Sequence, residues 1–143
     1  MSLNNVFTIA GSAMNAQSVR LNTTASNLAN ADAASSSIDE TYRGRHPVFA
    51  ARDNDALQFD IDNRGANVGV DVLGIVESDA PLQPRYEPDH PLADPEGYVY
   101  YPNVNVVEEM TNMISGSRSY QMNVEVANSA KQMMQRVLTL GQN

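Results

Sequence analysis

The chain's 143 residues carry seventeen carboxylates against nine Lys and Arg, for a formal net charge of −8, and contain no cysteine. That balance excludes nucleic acid as a partner, because neutralising phosphates takes a basic face. Without cysteine there is no disulfide framework, thiol nucleophile or thiolate metal site, and no window approaches the ~20 apolar residues of a membrane helix.

The charge is unevenly placed. Residues 1–31 hold a single charged side chain, Arg20; residues 32–101 hold fourteen acids and five Arg; residues 102–143 hold three of each. Two near-neutral ends therefore flank an acidic middle. The opening "MSLNNVFTIAGSAMNAQ" has no basic residue ahead of its apolar stretch, and Asn and Gln interrupt that stretch, so it makes a poor secretory signal.

In the first segment Phe7, Met14, Leu21 and Leu28 fall seven apart, with Ala10, Gln17, Thr24 and Ala31 between them. This is the a/d spacing of a helical seam, and it predicts a helix over residues 3–31. The seam is small and partly polar, so the helix is marginal alone. A water-exposed helix normally covers its outer face with Lys and Glu. This one carries Asn, Ser, Thr and Gln there, which can be buried if hydrogen-bonded, whereas unpaired charges cannot. The pattern predicts an element packed on all sides by copies of itself or by related subunits.

The middle is read as a small β-rich insert. "ASSS" at 34–37 is a linker, and "YRGRHPVFAAR" from Tyr42 is a strand whose Pro47 assigns it to a sheet edge or bulge. "NVGVDVLGIVES" alternates Val68, Val70 and Val72 with smaller or polar residues, as a half-buried strand does. A proline-dense stretch follows, "PLQPRYEPDHPLADPEG", and then a short strand "YVYY" at 98–101, opened by a turn at Pro95-Glu96-Gly97.

In the last segment Val106, Met110, Met113, Ser117, Tyr120, Val124, Ala127, Lys131, Met134 and Leu138 keep a 3-4 spacing. A helix from about Val104 to Leu140 would be roughly 55 Å long at 1.5 Å per residue. Pro102 blocks its extension backwards, and Asn105 to Glu108 has capping-box spacing. Gly116 is its weak point, costing ~1 kcal/mol against Ala. The methionines Met110, Met113, Met122, Met133 and Met134 could form an adaptable binding groove, but helical spacing favours a core or seam role.

Catalysis has no constellation to rest on. His46 and His90 are the only imidazoles; His90 stands near Glu87, Asp89, Asp94 and Glu96, but without ligand spacing, so a solvated acidic loop is expected and not a metal site. Asp53, Asp55, Asp60 and Asp62 resemble a calcium loop by charge only, lacking the glycine and terminal Glu. No G-x-S-x-G elbow or Gly-rich phosphate loop is present. No cofactor is implied.

The fold class expected is α+β: long N- and C-terminal helices packed as an antiparallel coiled-coil-like hairpin, with the insert between them. The corresponding divisions are 1–31 and 103–143 for the helical core and 32–102 for the acidic linker and insert.

Three stretches carry a resemblance: "ASNLANAD" at 25–32, "PLADPEGYVYYPNVNVVEEM" at 91–110 and "SRSYQMNVEVANSAKQMMQRVLTLGQ" at 117–142. They resemble the flagellar basal-body rod proteins, a family that includes the hook protein, and the Ala-Asp after Asn30 is similar to the proximal-rod type. The resemblance covers roughly two thirds of the chain, and residues 33–66 take no part in it.

It implies a structural subunit of the rod that crosses the periplasm. Such a subunit leaves the cell through the flagellar type III export apparatus without a cleaved signal peptide. It is not inserted in a membrane, and it assembles by its terminal helices with copies of itself and other rod proteins into a hollow torque-transmitting shaft. By resemblance, Asn27, Asn30, Glu108, Glu109, Met110, Arg118, Tyr120, Gln121 and Asn123 are intersubunit contacts. The seam adds Phe7, Met14, Leu21, Leu28, Met113, Val124, Met134 and Leu138. Gly116 stands where a relative is expected to have Ala. The other reading of the residues is a coiled-coil adaptor whose Met-rich helix grips a partner.

Overall fold

The computed structural model describes residues 3–52 and 69–140. Their elements are two helices and four strands: α1 (Leu3–Ala29), β1 (Arg45–Arg52), β2 (Gly69–Glu77), β3 (Gln83–Tyr86), β4 (Tyr98–Tyr101) and α2 (Val106–Leu140). The class is α+β, two long helices with small two-stranded sheets between them. The chain divides into two compact units, one of Met1–Val19, Val48–Gly74 and Ser115–Asn143, the other of Arg20–Pro47 and Ile75–Ile114.

The helix ends follow from local chemistry. Asn105 Oδ1 accepts from the backbone N–H of Val107 at 3.1 Å and of Glu108 at 3.4 Å, satisfying two donors the first turn leaves free. Buried Pro102 lies three residues upstream. At the end of α1, Asn30 Nδ2 donates to the Ser26 carbonyl at 2.8 Å. Gly116 does not interrupt α2.

β1 pairs with β2. Arg45 meets Glu77 at one end and Arg52 meets Asp71 at the other, an order that antiparallel strands produce. With only two strands, Pro47 lies on an edge, as its missing N–H requires. The half-buried alternation expected of β2 is confined to its start. Gly69 is buried and Val70 to Val72 are half-buried, but every residue from Leu73 to Glu77 is exposed, because no described element covers the sheet there. Asp53, Asp55, Asp60 and Asp62 lie outside the described residues.

β3 and β4 are antiparallel, with Pro84 opposite Tyr100 and Tyr86 opposite Tyr98. β3 falls in the proline-dense stretch, and Ser35, read as linker, bridges to the far edge of β4. The two facts are linked. Tyr100 exchanges both backbone bonds with Ser35, N to O and O to N, each at 3.0 Å. Its polar groups therefore point away from β3, and Pro84 opposite it has no ladder bond to lose. The turn into β4 is as expected: Gly97 N–H donates to the Asp94 carbonyl at 2.9 Å, and Gly97 takes φ +84°.

What is buried is small or polar. The buried apolar side chains among the described residues include Ala10, Ala16, Ala31, Val99, Pro102 and Ala130; the buried polar ones are Thr23, Thr24, Asn27, Thr41 and Glu109.

Candidate assembly surfaces and the buried clamp

Asn27 is the centre of the best-defined polar site, in the unit of Arg20–Pro47 and Ile75–Ile114. It is 1% exposed. Its Nδ2 donates to the Arg45 carbonyl at 2.8 Å and to Glu109 Oε2 at 3.1 Å. Its Oδ1 accepts from the Arg45 N–H and from the Tyr42 hydroxyl, both at 2.9 Å. All four valences of the amide are used, which fixes its orientation. The Tyr42 proton being spent on Asn27, the Ser26 hydroxyl at 3.3 Å is left as donor to Tyr42. One asparagine thus joins α1, the start of β1 and α2. Two turns earlier in α1, Arg20 Nη2 donates to Asn112 Oδ1 at 2.9 Å.

Asn103 does the same work ahead of α2. Its Oδ1 accepts from Gly44 N–H at 2.8 Å, and its Nδ2 donates to the carbonyls of Ser78 at 3.2 Å and Ala80 at 2.8 Å. In the other unit Ser12 Oγ donates to the Ile9 carbonyl at 2.8 Å and accepts from Val70 N–H at 3.1 Å. A Cβ on Gly69 would stand 2.8 Å from that hydroxyl, so any larger residue there would have to displace the Ser12 side chain from its bond to Val70. Sequence reading missed Asn103, Arg20 and Ser12. "PNVN" before a helix was the available signal for Asn103, whereas the other two carry none, being ordinary polar residues on a helix.

The seam of α1 faces inward: Ala10, Thr24 and Ala31 are buried, and Phe7, Met14, Gln17, Leu21 and Leu28 are half-buried. Its exposed line is Asn4, Thr8, Gly11, Asn15, Ser18, Asn22, Ala25 and Ala29, uncharged throughout and itself spaced 3-4.

α2 departs from expectation. Its inward line runs through Glu109, Asn112, Gly116, Asn123 and Ala130, which are buried or half-buried. Met113, Val124, Ser117 and Ala127 lie half-buried beside that line, but Val106, Met110, Tyr120, Lys131, Met134 and Leu138 of the expected seam are exposed, Met110 at 52% and Leu138 at 64%. Met122 and Met133 are also exposed, so of the five methionines of α2 only Met113 is half-buried within the chain. The larger apolar side chains lie outward because the inward side is occupied by small and hydrogen-bonding residues.

Of the residues expected at subunit contacts, Asn27 and Glu109 are brought together inside the chain. Asn30 and Asn123 are half-buried and bond back to carbonyls four residues earlier, Ser26 and Ser119, at 2.8 Å. Glu108, Met110, Arg118, Tyr120, Gln121, Met134 and Leu138 are exposed. The described residues contain no group of three or more potential metal ligands. His90 Nδ1 accepts from Leu92 N–H at 3.1 Å and so serves the loop. No described helix is long and apolar enough to cross a membrane.

Two family models match the chain: "Flagella basal body rod protein" over residues 4–34 and "Flagellar basal body rod FlgEFG protein C-terminal" over residues 96–140. These spans hold the two helices. The flagellar basal-body rod protein FlgC of Salmonella typhimurium is 51% identical over 142 residues, 99% of this chain and 100% of the relative. That of Yersinia enterocolitica is 47% identical over the same extent, and that of Borreliella burgdorferi 36% identical over 150 residues, 98% of each chain. With identity at this level over the whole length of its relatives, the chain belongs to the FlgC family of flagellar basal-body rod proteins, structural components of the rod.

Proposed function

We propose that this rod component assembles through its two terminal helices, with copies of itself and with other flagellar rod proteins, into a hollow shaft that transmits torque. One observation carries the reading. α2 buries alanine, glycine and hydrogen-bonded polar residues inside its own chain and leaves Val107, Met110, Ile114, Met122, Val126, Met133, Val137 and Leu140 exposed. An exposed apolar stripe of this length is an interaction surface, because a lone soluble helix turns such residues inward. Heterologous contacts that do not close build a helical lattice.

The antiparallel helical hairpin belongs to the same proposal. From Arg20 to Asn27 along α1 the hydrogen-bonded partner on α2 steps back from Asn112 to Glu109, as antiparallel packing gives. Residues 1–31 and 103–143 then form a helical core domain and 32–102 the linker and insert. Glu108, Met110, Arg118, Tyr120, Gln121, Met134 and Leu138 meet a neighbour directly. Phe7, Met14, Leu21, Leu28, Asn30, Met113, Asn123 and Val124 border the seam that a neighbour closes. Asn27 and Glu109 hold the helices in place for it. Export through the flagellar type III apparatus without a cleaved signal, and a place in the periplasm-spanning rod, complete the proposal.

Reconstitution tests it. Purified chain, alone or with other rod proteins, is expected to form multi-copy tubes visible by electron microscopy. Leu21→Asp or Val124→Asp should abolish them, each placing a carboxylate in a contact repeated along the lattice at a cost of several kcal/mol per copy. Asp55→Ala should not. Saturation at a fixed stoichiometry with one partner would instead mark a Met-rich adaptor helix.

A further inference from the structure

On the outward face of α2, Ile114 and Met122 are exposed at 56% and 63%, and exposed Arg118 lies midway between them. Spacing of four residues stacks the three on one helical face over about 12 Å. The flanking residues Ser115, Ser117 and Ser119 are small. Among the described residues the ion pairs are Arg45–Glu77 and Arg52–Asp71, and the Arg118 guanidinium pairs with none of the described carboxylates.

The β3–β4 hairpin presents the converse. Tyr86 and Tyr98 are exposed and meet edge to face with centroids 5.4 Å apart, and Leu92 is exposed as well. The Gly97 backbone holds the Tyr86 ring, since a Cβ there would come within 2.9 Å of it. Asp89 and Glu96 are exposed carboxylates that form no ion pair among the described residues. The same hairpin already displays one arginine on a tyrosine face, the Arg85 guanidinium 4.4 Å from the Tyr101 centroid. Guanidinium stacks on aromatic rings and pairs with carboxylates, and thioethers pack favourably on rings.

We propose that the Ile114–Arg118–Met122 face of α2 in one copy docks on the Tyr86–Tyr98 platform of a second copy, with Arg118 taken up by Asp89 or Glu96. This rests on the assembly reading above and names which part of the neighbour covers α2. Charge selects the pairing: the hairpin lies in the acidic segment, whereas α2 from Ser115 onward carries three bases and one acid. The uncharged exposed line of α1 offers Arg118 no counter-ion.

A photo-crosslinking residue in place of Tyr86, in assemblies grown from a mixture of light and nitrogen-15-labelled full-length chains, is expected to link to peptides containing 114–122 of a differently labelled copy. Arg118→Glu should raise the concentration needed for assembly at least tenfold, and Asp89→Arg with Glu96→Arg should recover most of that loss. Arg136→Glu, a like change on the same exposed face, should shift it less than threefold. Crosslinks confined to one copy or to another rod protein, or a loss that the reversed carboxylates leave untouched, would overturn the proposal. Assemblies that require Leu21 but ignore Arg118→Glu would overturn it and leave the assembly reading standing. Failure to assemble at all would remove both.

Discussion

Asn27 and Gln17 are both amides on the inward side of α1, and they have opposite energetics. Asn27 has two donors facing two acceptors and one carbonyl facing two donors. Replacing it by Leu strands the Arg45 N–H and carbonyl, the Tyr42 hydroxyl and the Glu109 carboxylate. Each stranded group costs ~1–3 kcal/mol, so Asn27→Leu should lower stability by about 4 kcal/mol or more in urea unfolding. Gln17 is the contrary case: its Oε1 is buried with no hydrogen-bond partner among the described residues. Gln17→Leu removes that orphan and adds apolar area, so the same measurement should show a gain of ~1 kcal/mol or more. Equal losses for both variants would mean that residue type on the seam, and not the wiring of each amide, sets stability. In the sequence the two look alike, since each is an amide at helical spacing and neither names its partner.

At the scale of elements, the β3–β4 hairpin carries a pH dependence that can be signed. Partial burial raises the Tyr100 phenol, and Asp94 adds to it; partial burial likewise raises Tyr101, with Glu87 adding. A folded value above the unfolded one means stability fully present below the ordinary phenol value and lost as pH rises through the raised one. Phenolate absorbance should therefore show a late fraction that disappears in Tyr100→Phe and Tyr101→Phe, with hairpin amides losing protection over the same alkaline range. If the late fraction persists in both variants, those phenols are not the ones held neutral. The hairpin also shows where sequence reading runs out. The Gly97 turn, the Asn105 cap, edge Pro47 and the "YVYY" strand were legible because each rests on local chemistry. β3 was not, because Pro84 is tolerated only through the distant pairing of Tyr100 with Ser35. Which face of α2 turns toward its own chain was not legible for a related reason. Apolar spacing marks the face a helix must cover, and whether the cover comes from its own chain or from a neighbour is a tertiary fact.

For the whole molecule, the two units are held by different means. The unit of Arg20–Pro47 and Ile75–Ile114 contains the Asn27 and Asn103 clamps, Val99 and the β3–β4 hairpin, so each ordered segment is tied to several others by hydrogen bonds. The unit of Met1–Val19, Val48–Gly74 and Ser115–Asn143 buries Ala10, Ala16, Gly69, Gly116 and Ala130 among its described residues. Such side chains return little transfer free energy against ~1–2 kcal/mol of backbone entropy per ordered residue. The ends of both helices should therefore be marginal until a neighbour covers them, which on the proposed assembly and export would limit premature polymerisation and suit passage through a narrow channel as an extended chain. Arg20–Asn112 and Asn27–Glu109 lie on the well-tied side, so the marginal part of α1 is expected to stop near Val19 and not to include the whole helix. Hydrogen exchange read by mass spectrometry on dilute monomer and on assembled rods tests this. Residues 3–19 and 115–140 should exchange within seconds in the monomer and become protected in the rod, while 20–31, 83–101 and 106–114 stay protected in both. Strong protection of residues 3–19 in dilute monomer would show a preformed two-helix end, and polymerisation would then have to be restrained by something other than disorder.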